Sequence, residues 1–287
     1  MKCAVVGASG QLGQALVRVL GPRVVWSGGR DALDVTDAAA VASLVSTVGP
    51  DVVFNASAYN KVDLAETEPA EAFAANASGP HFLARACAAS GALLVHVSTD
   101  YVFDGAASRP YVEDDVPRPL GVYGTSKLAG ECLAAGATSL IVRTSGVLGA
   151  HGSRGKGGSF VERILSRARS GQPLRVVSDQ TFAPTFASDL AVALVALVDA
   201  GARGLFHVTN DGTCTWHELA VASLELAGLS VPVEAITTAS LGLAARRPAF
   251  SVLDCGRYRA LGLAALPPWR EALRGLVASI DSAAPLS

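Results

Sequence analysis

Short apolar runs alternate with stretches of helical period through the first half of the chain. Residues 2–6 form an apolar run into Gly7. Residues 11–20 carry apolar side chains at helical spacing and stop at Gly21-Pro22. Residues 23–27 predict a second strand, followed by Gly28-Gly29-Arg30. Thr36 or Asp37 caps a helix through Val48 that Gly49-Pro50 ends. Residues 51–55 are the next strand. Glu68-Pro69 opens an alanine-rich helix to Ser90, with Pro69 in the tolerated first turn and Pro80 expected to kink it. A strand over 92–98, a helix over 121–135 and a strand over 140–144 complete the alternation. Such runs lack strict in–out alternation and are separated by helices, which predicts a parallel sheet covered on both faces.

After Ser145 the rhythm changes. Residues 149–158 are rich in Gly, Ser and basic residues and read as a mobile loop. Helices are expected over 159–170, 189–199 and 216–227, a strand over 205–209, and a last helix from Pro268 to about Ser279. No internal repeat is present. The expected fold is α/β: a Rossmann-like doubly wound parallel sheet with a smaller C-terminal substrate-binding lobe. The division is placed at 1–145 for the dinucleotide-binding domain and 146–287 for the lobe, with segments free to return to the first. The lobe should lie over the carboxyl ends of the strands, where ligands bind in such sheets.

Composition narrows the partners. A chain of 287 residues can bury a sizeable core. Half of it is hydrophobic and 17% is charged, which excludes disorder. The net charge of −2, without a basic run, argues against nucleic acid or an anionic membrane as the main partner. Small anionic metabolites need only a local positive pocket. Gly7, Ser9, Gln11, Gln14 and Arg18 interrupt any signal-peptide core at the start, and the apolar run 190–198 is too short to span a bilayer. The five cysteines show neither CxxC nor zinc spacing, and the five histidines are as scattered. Reduced thiols, a cytoplasmic location and no bound metal are expected.

Two patterns carry chemistry. Tyr123 and Lys127 are four apart on a predicted helix, so both address one point in space. A phenol titrates near 10, and an adjacent cation favours the phenolate. Tyr123 is thus a candidate proton donor to a carbonyl oxygen becoming an alkoxide, with Thr99 sharing that oxygen. The second pattern is Gly7, Gly10 and Gly13 between a strand and a helix, the setting of a dinucleotide fingerprint. Its spacing is GxxGxxG rather than GxGxxG. The second strand ends without an acidic residue for a ribose 2′-hydroxyl, and Arg30 is placed to meet a 2′-phosphate. NADPH is therefore favoured, with NADH as the alternative. Asp34 and Val35 are expected to border the adenine, and Ser57, Ala58 and Tyr59 the cofactor's middle.

Longer strings add a resemblance. Asn55-Ala56-Ser57-Ala58-Tyr59, Val62-Asp63, Ala65-Glu66-Thr67-Glu68-Pro69 and Ser98-Thr99-Asp100-Tyr101-Val102-Phe103-Asp104-Gly105 are followed by Val122-Tyr123-Gly124, Arg143-Thr144-Ser145, Asp179-Gln180, Ala183-Pro184-Thr185 and Arg247-Pro248. The chain resembles the extended short-chain dehydrogenase/reductases, and among them the dTDP-4-dehydrorhamnose reductase family. The resemblance implies that Thr99, Tyr123 and Lys127 are the catalytic triad, and that Tyr123 and Lys127 also touch the cofactor. It implies that Gly10, Gln11 and Leu12 join Asp34, Val35, Ser57, Ala58 and Tyr59 around NADPH. Thr99 and Asp100 would touch the sugar, and Arg247 would meet the diphosphate of a dTDP-sugar. It implies reduction of the C4 keto group of dTDP-4-dehydro-L-rhamnose, and a homodimer is compatible with it.

One position departs from the pattern. The family has Trp after Arg-Thr-Ser, and this chain has Gly146. The aromatic wall for the sugar is then missing or supplied by another side chain. A loop over 152–158 is expected to order over the substrate. The competing readings are a reductase of another dTDP-4-keto-6-deoxy sugar, a nucleotide-sugar epimerase and a non-catalytic NADP-binding regulatory subunit.

Overall fold

Five apolar runs of the first half become parallel strands: β1 (Cys3–Val6), β2 (Val24–Gly28), β3 (Val52–Asn55), β4 (Leu93–Thr99) and β5 (Ser139–Thr144). The computed structural model describes residues 1–149 and 158–283. A sixth strand, β6 (Gly204–His207), comes from the second half, and the sheet order is β6-β5-β4-β3-β1-β2. The chain steps outward from β1 to β2, then crosses back to set β3 on the other side of β1. That reversal opens a crevice at the carboxyl ends of β1 and β3.

Successive strand residues serve opposite faces. Cys3 and Val5 share a core with Phe54, Val95 and Val142. α1 (Gln11–Leu20) covers this face with Leu12, Leu16 and Leu20. Ala4, Val6, Val53 and Leu94 face the other way, against α2 (Ala38–Val48) and α3 (Gly79–Ser90). α4 (Val122–Ala134) packs beside α3, and α5 (Ala187–Asp199) lies against α1. Two covered faces explain the near-uniform apolar runs.

The helix expected over 69–90 is divided. Pro69–Phe73 is α-helical, Ala74–Ser78 is a π turn, and α3 follows. Pro80 cannot donate to the carbonyl of Asn76, four residues back, and the widened turn takes up that misfit.

The second half does not stay together. The strand expected over 205–209 is β6, which pairs with β5 from Gly204 opposite Leu140 to His207 opposite Arg143. It satisfies backbone groups that an open edge of β5 would expose. α5 joins the core under the sheet, as do Tyr258 and Leu266, while Val161, Leu165, Phe182, Leu219, Trp269 and Leu273 build a separate core. Helices Phe160–Arg169 and Trp216–Leu226 each start with a capping box, Ser159 with Glu162 and Thr215 with Glu218. The last helix is Trp269–Ala283. Among the described residues no helix is long and apolar enough to cross a membrane. The loop expected over 152–158 falls, at 152–157, outside the described residues.

One buried ion pair joins sheet to helix. Arg143 on β5 and Glu131 on α4 are 3% and 5% exposed. Arg143 Nη2 donates to Glu131 Oε2 at 2.7 Å, and Nε to Oε1 at 3.0 Å. Ser98 Oγ on β4 donates to the same Oε1 at 2.5 Å. Arg143 Nη1 lies 3.4 Å from His207 Nε2 on β6. Burial and the Arg143 charge push His207 down to about 3, so its ring is neutral. Nε2 then accepts from Arg143, and Nδ1 donates to the Tyr111 carbonyl at 3.0 Å. Arg143→Met would leave Glu131 buried without its cation. Urea unfolding should show a loss of about 3–5 kcal/mol; a loss below about 1 kcal/mol would remove the pair from the core of the fold.

Candidate active site

The four-residue spacing on α4 brings Tyr123 and Lys127 to one face. Glu66 Oε1 accepts from the Val122 N–H at 2.8 Å and holds the helix's first turn. Two glycines let α4 approach its neighbours. A Cβ at Gly124 would lie 2.2 Å from the Tyr101 carbonyl, and one at Gly130 would lie 2.0 Å from that of Asn76. Lys127 is 2% exposed, and its Nζ donates to the Val97 carbonyl on β4 at 2.7 Å. Asn76, in the π turn, accepts from the Tyr59 N–H at 2.8 Å and donates to Ser126 Oγ at 3.0 Å. The segment after β3 is thereby tied to α4.

A cleft of about 420 Å³ opens at the crevice. Its floor is Gly10, Gln11 and Leu12 after β1, and Ser57 and Ala58 after β3. Thr99, Asp100, Tyr123 and Lys127 line its centre. Phe160, Arg163, Phe182 and Trp216 of the lobe also line it.

The glycine turn fits a dinucleotide. Gly7 has φ 81°, and a Cβ there would lie 2.6 Å from the Ser57 nitrogen. A Cβ at Gly13 would meet the Gly7 carbonyl at 2.2 Å. No side chain caps α1 at Gly10, so the first N–H groups are left for an anion at the positive end of the helix. Gln11 Oε1, also in the cleft, is buried without a hydrogen-bond partner among the described residues.

Electrostatics at the centre follow from burial. Asp100 is 3% exposed; its Oδ2 accepts from Ser145 Oγ at 2.7 Å and Ser251 Oγ at 2.5 Å. Desolvation pushes its carboxyl above the usual range, and hydroxyls of Ser251, Ser145 and Thr99 work against that. The Thr99 hydroxyl, which donates to Asp100 Oδ1 at 3.1 Å, favours the Tyr123 phenolate. The expected lowering of the Tyr123 pKa by a neighbouring cation is not found. Burial pushes the phenol up to about 12, more than the Thr99 contact lowers it. Lys127 is itself pushed down to about 8 by burial, against the pull of Glu131. The phenol therefore stays protonated in the protein by itself.

Other expected site residues lie away from the cleft lining. Arg30 is 82% exposed at its side chain, with Nε 3.4 Å from Asp34 Oδ2. Asp34 accepts from the Thr36 N–H at 3.0 Å and from its hydroxyl at 2.7 Å, which hold its carboxyl below the usual range. Val35 is buried beside Gly79. All three follow β2, whose Gly28 carbonyl accepts from the Gly7 and Ala8 N–H groups at 2.9 Å. The Tyr59 phenol donates to Glu68 Oε2 at 2.6 Å, turned from the cleft by that acceptor. Arg247 is gripped by Asp63, with Nη1–Oδ1 at 3.0 Å and Nη2–Oδ2 at 2.6 Å, so its charge is already matched. Phe160, Arg163, Phe182 and Trp216 were not anticipated. Their only sequence signal is a run of aromatic and basic positions at the starts of lobe helices and ribbons.

The family model described as the RmlD substrate binding domain matches residues 1–282. A dTDP-4-dehydrorhamnose reductase from Streptomyces griseus is 44% identical over 281 residues, covering 94% of this chain and 90% of its own. The chain belongs to the dTDP-4-dehydrorhamnose reductase family. Another relative, from Streptomyces antibioticus, is named "Probable dTDP-4,6-dihydroxy-2-methyloxan-3-one 4-ketoreductase"; it is 40% identical, with 96% of this chain and 94% of its own covered. Among solved structures, a dTDP-4-dehydrorhamnose reductase from Bacillus anthracis in complex with NADP superposes with a TM-score of 0.91. It is 34% identical, with 96% of this chain and 99% of that chain covered.

Lys127 gives this family member a pH signature independent of turnover. The unfolded chain holds that proton up to about 10.5 and the folded protein up to about 8. Between those values the unfolded state binds more protons, so raising the pH favours the folded state. Buried cysteines and tyrosines, with raised pKa values, oppose this above about 9. The stability difference between wild type and Lys127→Met should therefore grow in favour of wild type from pH 8 to 10.5, by up to about 3 kcal/mol. A pH-independent difference in urea unfolding would show that the ammonium is not desolvated as described.

Proposed function

We propose that the protein reduces the C4 keto group of dTDP-4-dehydro-L-rhamnose to dTDP-L-rhamnose, using NADPH. The reading rests on the convergence of Thr99, Asp100, Tyr123 and Lys127 in one cleft beside the glycine turn. When bound, NADPH supplies the hydride. Tyr123 supplies the proton: its O–H bond breaks as an O–H bond forms on the sugar O4. A phenol held protonated up to about 12 is suited to donate. Lys127, cationic below about 8, steadies the phenolate left behind. Thr99 shares the sugar oxygen, and Asp100 orients Thr99.

The amino end of α1, with Gly7, Gly10, Gln11, Leu12 and Gly13, would hold the pyrophosphate of the cofactor. Arg30 would meet the 2′-phosphate, with Asp34 and Val35 at the adenine and Ser57, Ala58 and the Tyr59 backbone along the middle. Arg163, a cleft cation from the lobe, takes the role expected of Arg247 toward the substrate diphosphate. Arg247 instead fixes Asp63 and the loop before it. The catalytic and cofactor residues lie mainly within 1–145, with 187–208 joined to that part and the remainder serving the substrate. The unpaired cysteines suit a cytoplasmic location, and a homodimer is part of this reading. A second reading, reduction of a different dTDP-4-keto-6-deoxy sugar, is favoured by Gly146 at the usual tryptophan position.

NADPH oxidation at the expense of dTDP-4-dehydro-L-rhamnose tests the activity. Tyr123→Phe should lower kcat by about 10² or more with NADPH affinity intact, because only the proton donor is removed. Unchanged turnover would take Tyr123 out of the mechanism. Arg163→Ala should raise the KM for the sugar nucleotide by about tenfold, the scale of one charge-assisted hydrogen bond, with kcat held. An unchanged KM would return the diphosphate to another cation.

A further inference from the structure

Gly146 has φ 50°, and a Cβ built there would lie 2.3 Å from Cε2 of Phe182. A side chain at 146 and the Phe182 ring cannot share that space. Phe182 occupies it: the residue is 3% exposed, and its ring stacks on Trp216 with centroids 4.2 Å apart and planes at 24°. Phe160 extends the group, 4.8 Å from Trp216 between centroids. All three line the same cleft as Thr99 and Tyr123.

The ring is tied to the reaction centre from both sides. Thr181, its neighbour, receives the Ser251 N–H at 2.9 Å, and Ser251 Oγ donates to Asp100 at 2.5 Å. Ser145, the neighbour of Gly146, donates to the same Asp100 oxygen at 2.7 Å. The segments carrying residues 146 and 182 are thus both tied to one buried carboxylate, that of Asp100 next to Thr99. An apolar face at this place meets whatever ring presents its carbonyl to Thr99 and Tyr123.

We propose that Phe182, stacked on Trp216 and admitted by the bare Gly146, is the wall that orients the keto sugar in this protein. The aromatic surface that the resemblance assigns to position 146 is supplied from the lobe instead. Phe182 is then a specificity-determining residue for the hexose ring, with no part in the proton or hydride transfer. The proposal rests on the reductase reading for the identity of the sugar, but not for the place of the wall.

The test compares wild type with Phe182→Leu, Phe182→Ala, Gly146→Ala and Phe182→Ala/Gly146→Ala. Calorimetry reads the affinities for dTDP, dTDP-L-rhamnose and NADPH, and steady-state kinetics reads KM and kcat for the keto sugar. Phe182→Leu should weaken dTDP-L-rhamnose and raise KM by up to about tenfold, the scale of an aromatic contact, while dTDP and NADPH bind as in wild type. Gly146→Ala should give a similar loss by displacing the ring, and should cost less in a protein already lacking Phe182. Equal weakening of dTDP and dTDP-L-rhamnose would overturn the proposal, since the ring would then serve the nucleotide. Unchanged affinity and KM in Phe182→Leu would overturn it as well. Wild type that binds dTDP-L-rhamnose but oxidises no NADPH would fault the reductase reading alone, and the affinity comparison would still decide the wall.

Discussion

The buried Glu131–Arg143 pair is the interaction on which the rest depends. It joins β5, the strand next to the sheet's edge, to the far end of the helix that carries Tyr123 and Lys127. Ser98 and His207 complete its hydrogen bonds, so four elements converge on two charges. A buried ion pair is a poor source of net stability but a strict one of geometry, because a misplaced partner leaves a naked charge. Here it fixes the rotation of α4 about its axis. Lys127 lies one turn from Glu131 on the same face, so the rotation that satisfies the pair also aims the ammonium at Val97 and the cleft.

Much of this arrangement was visible along the chain. Apolar runs gave five strands of the sheet within a residue or two, because a strand buried on both faces has little choice of composition. Tyr123 and Lys127 were legible because helical spacing alone brings them together. The glycines at 7 and 13 were legible because a close turn there leaves no room for a side chain. The placement of β6 was not, since an apolar run does not say which edge it will join.

Partnerships across long separations were equally hidden. Asp63 and Arg247 were noticed as separate fragments of a resemblance, yet they hold each other 184 residues apart. Tyr59 and Glu68, only nine residues apart, are likewise paired. Residues that look chemical in a motif can be spent on architecture, and only tertiary structure tells the two apart. The Tyr123 pKa carries the same lesson in energetic form. Proximity to a cation argued for a lowered value, but burial of both groups outweighs it.

The edge strand β6 also bears on the order of assembly. During synthesis the first five strands emerge long before residues 204–207, and a nascent chain ending near β5 carries an unsatisfied edge. It also lacks α5, which covers the apolar face of α1. The cofactor half therefore cannot close until residues 187–207 have left the ribosome. A chain that stalls or is clipped between β5 and β6 would expose sticky backbone and leucine surface together, a natural substrate for chaperones rather than a half-working enzyme.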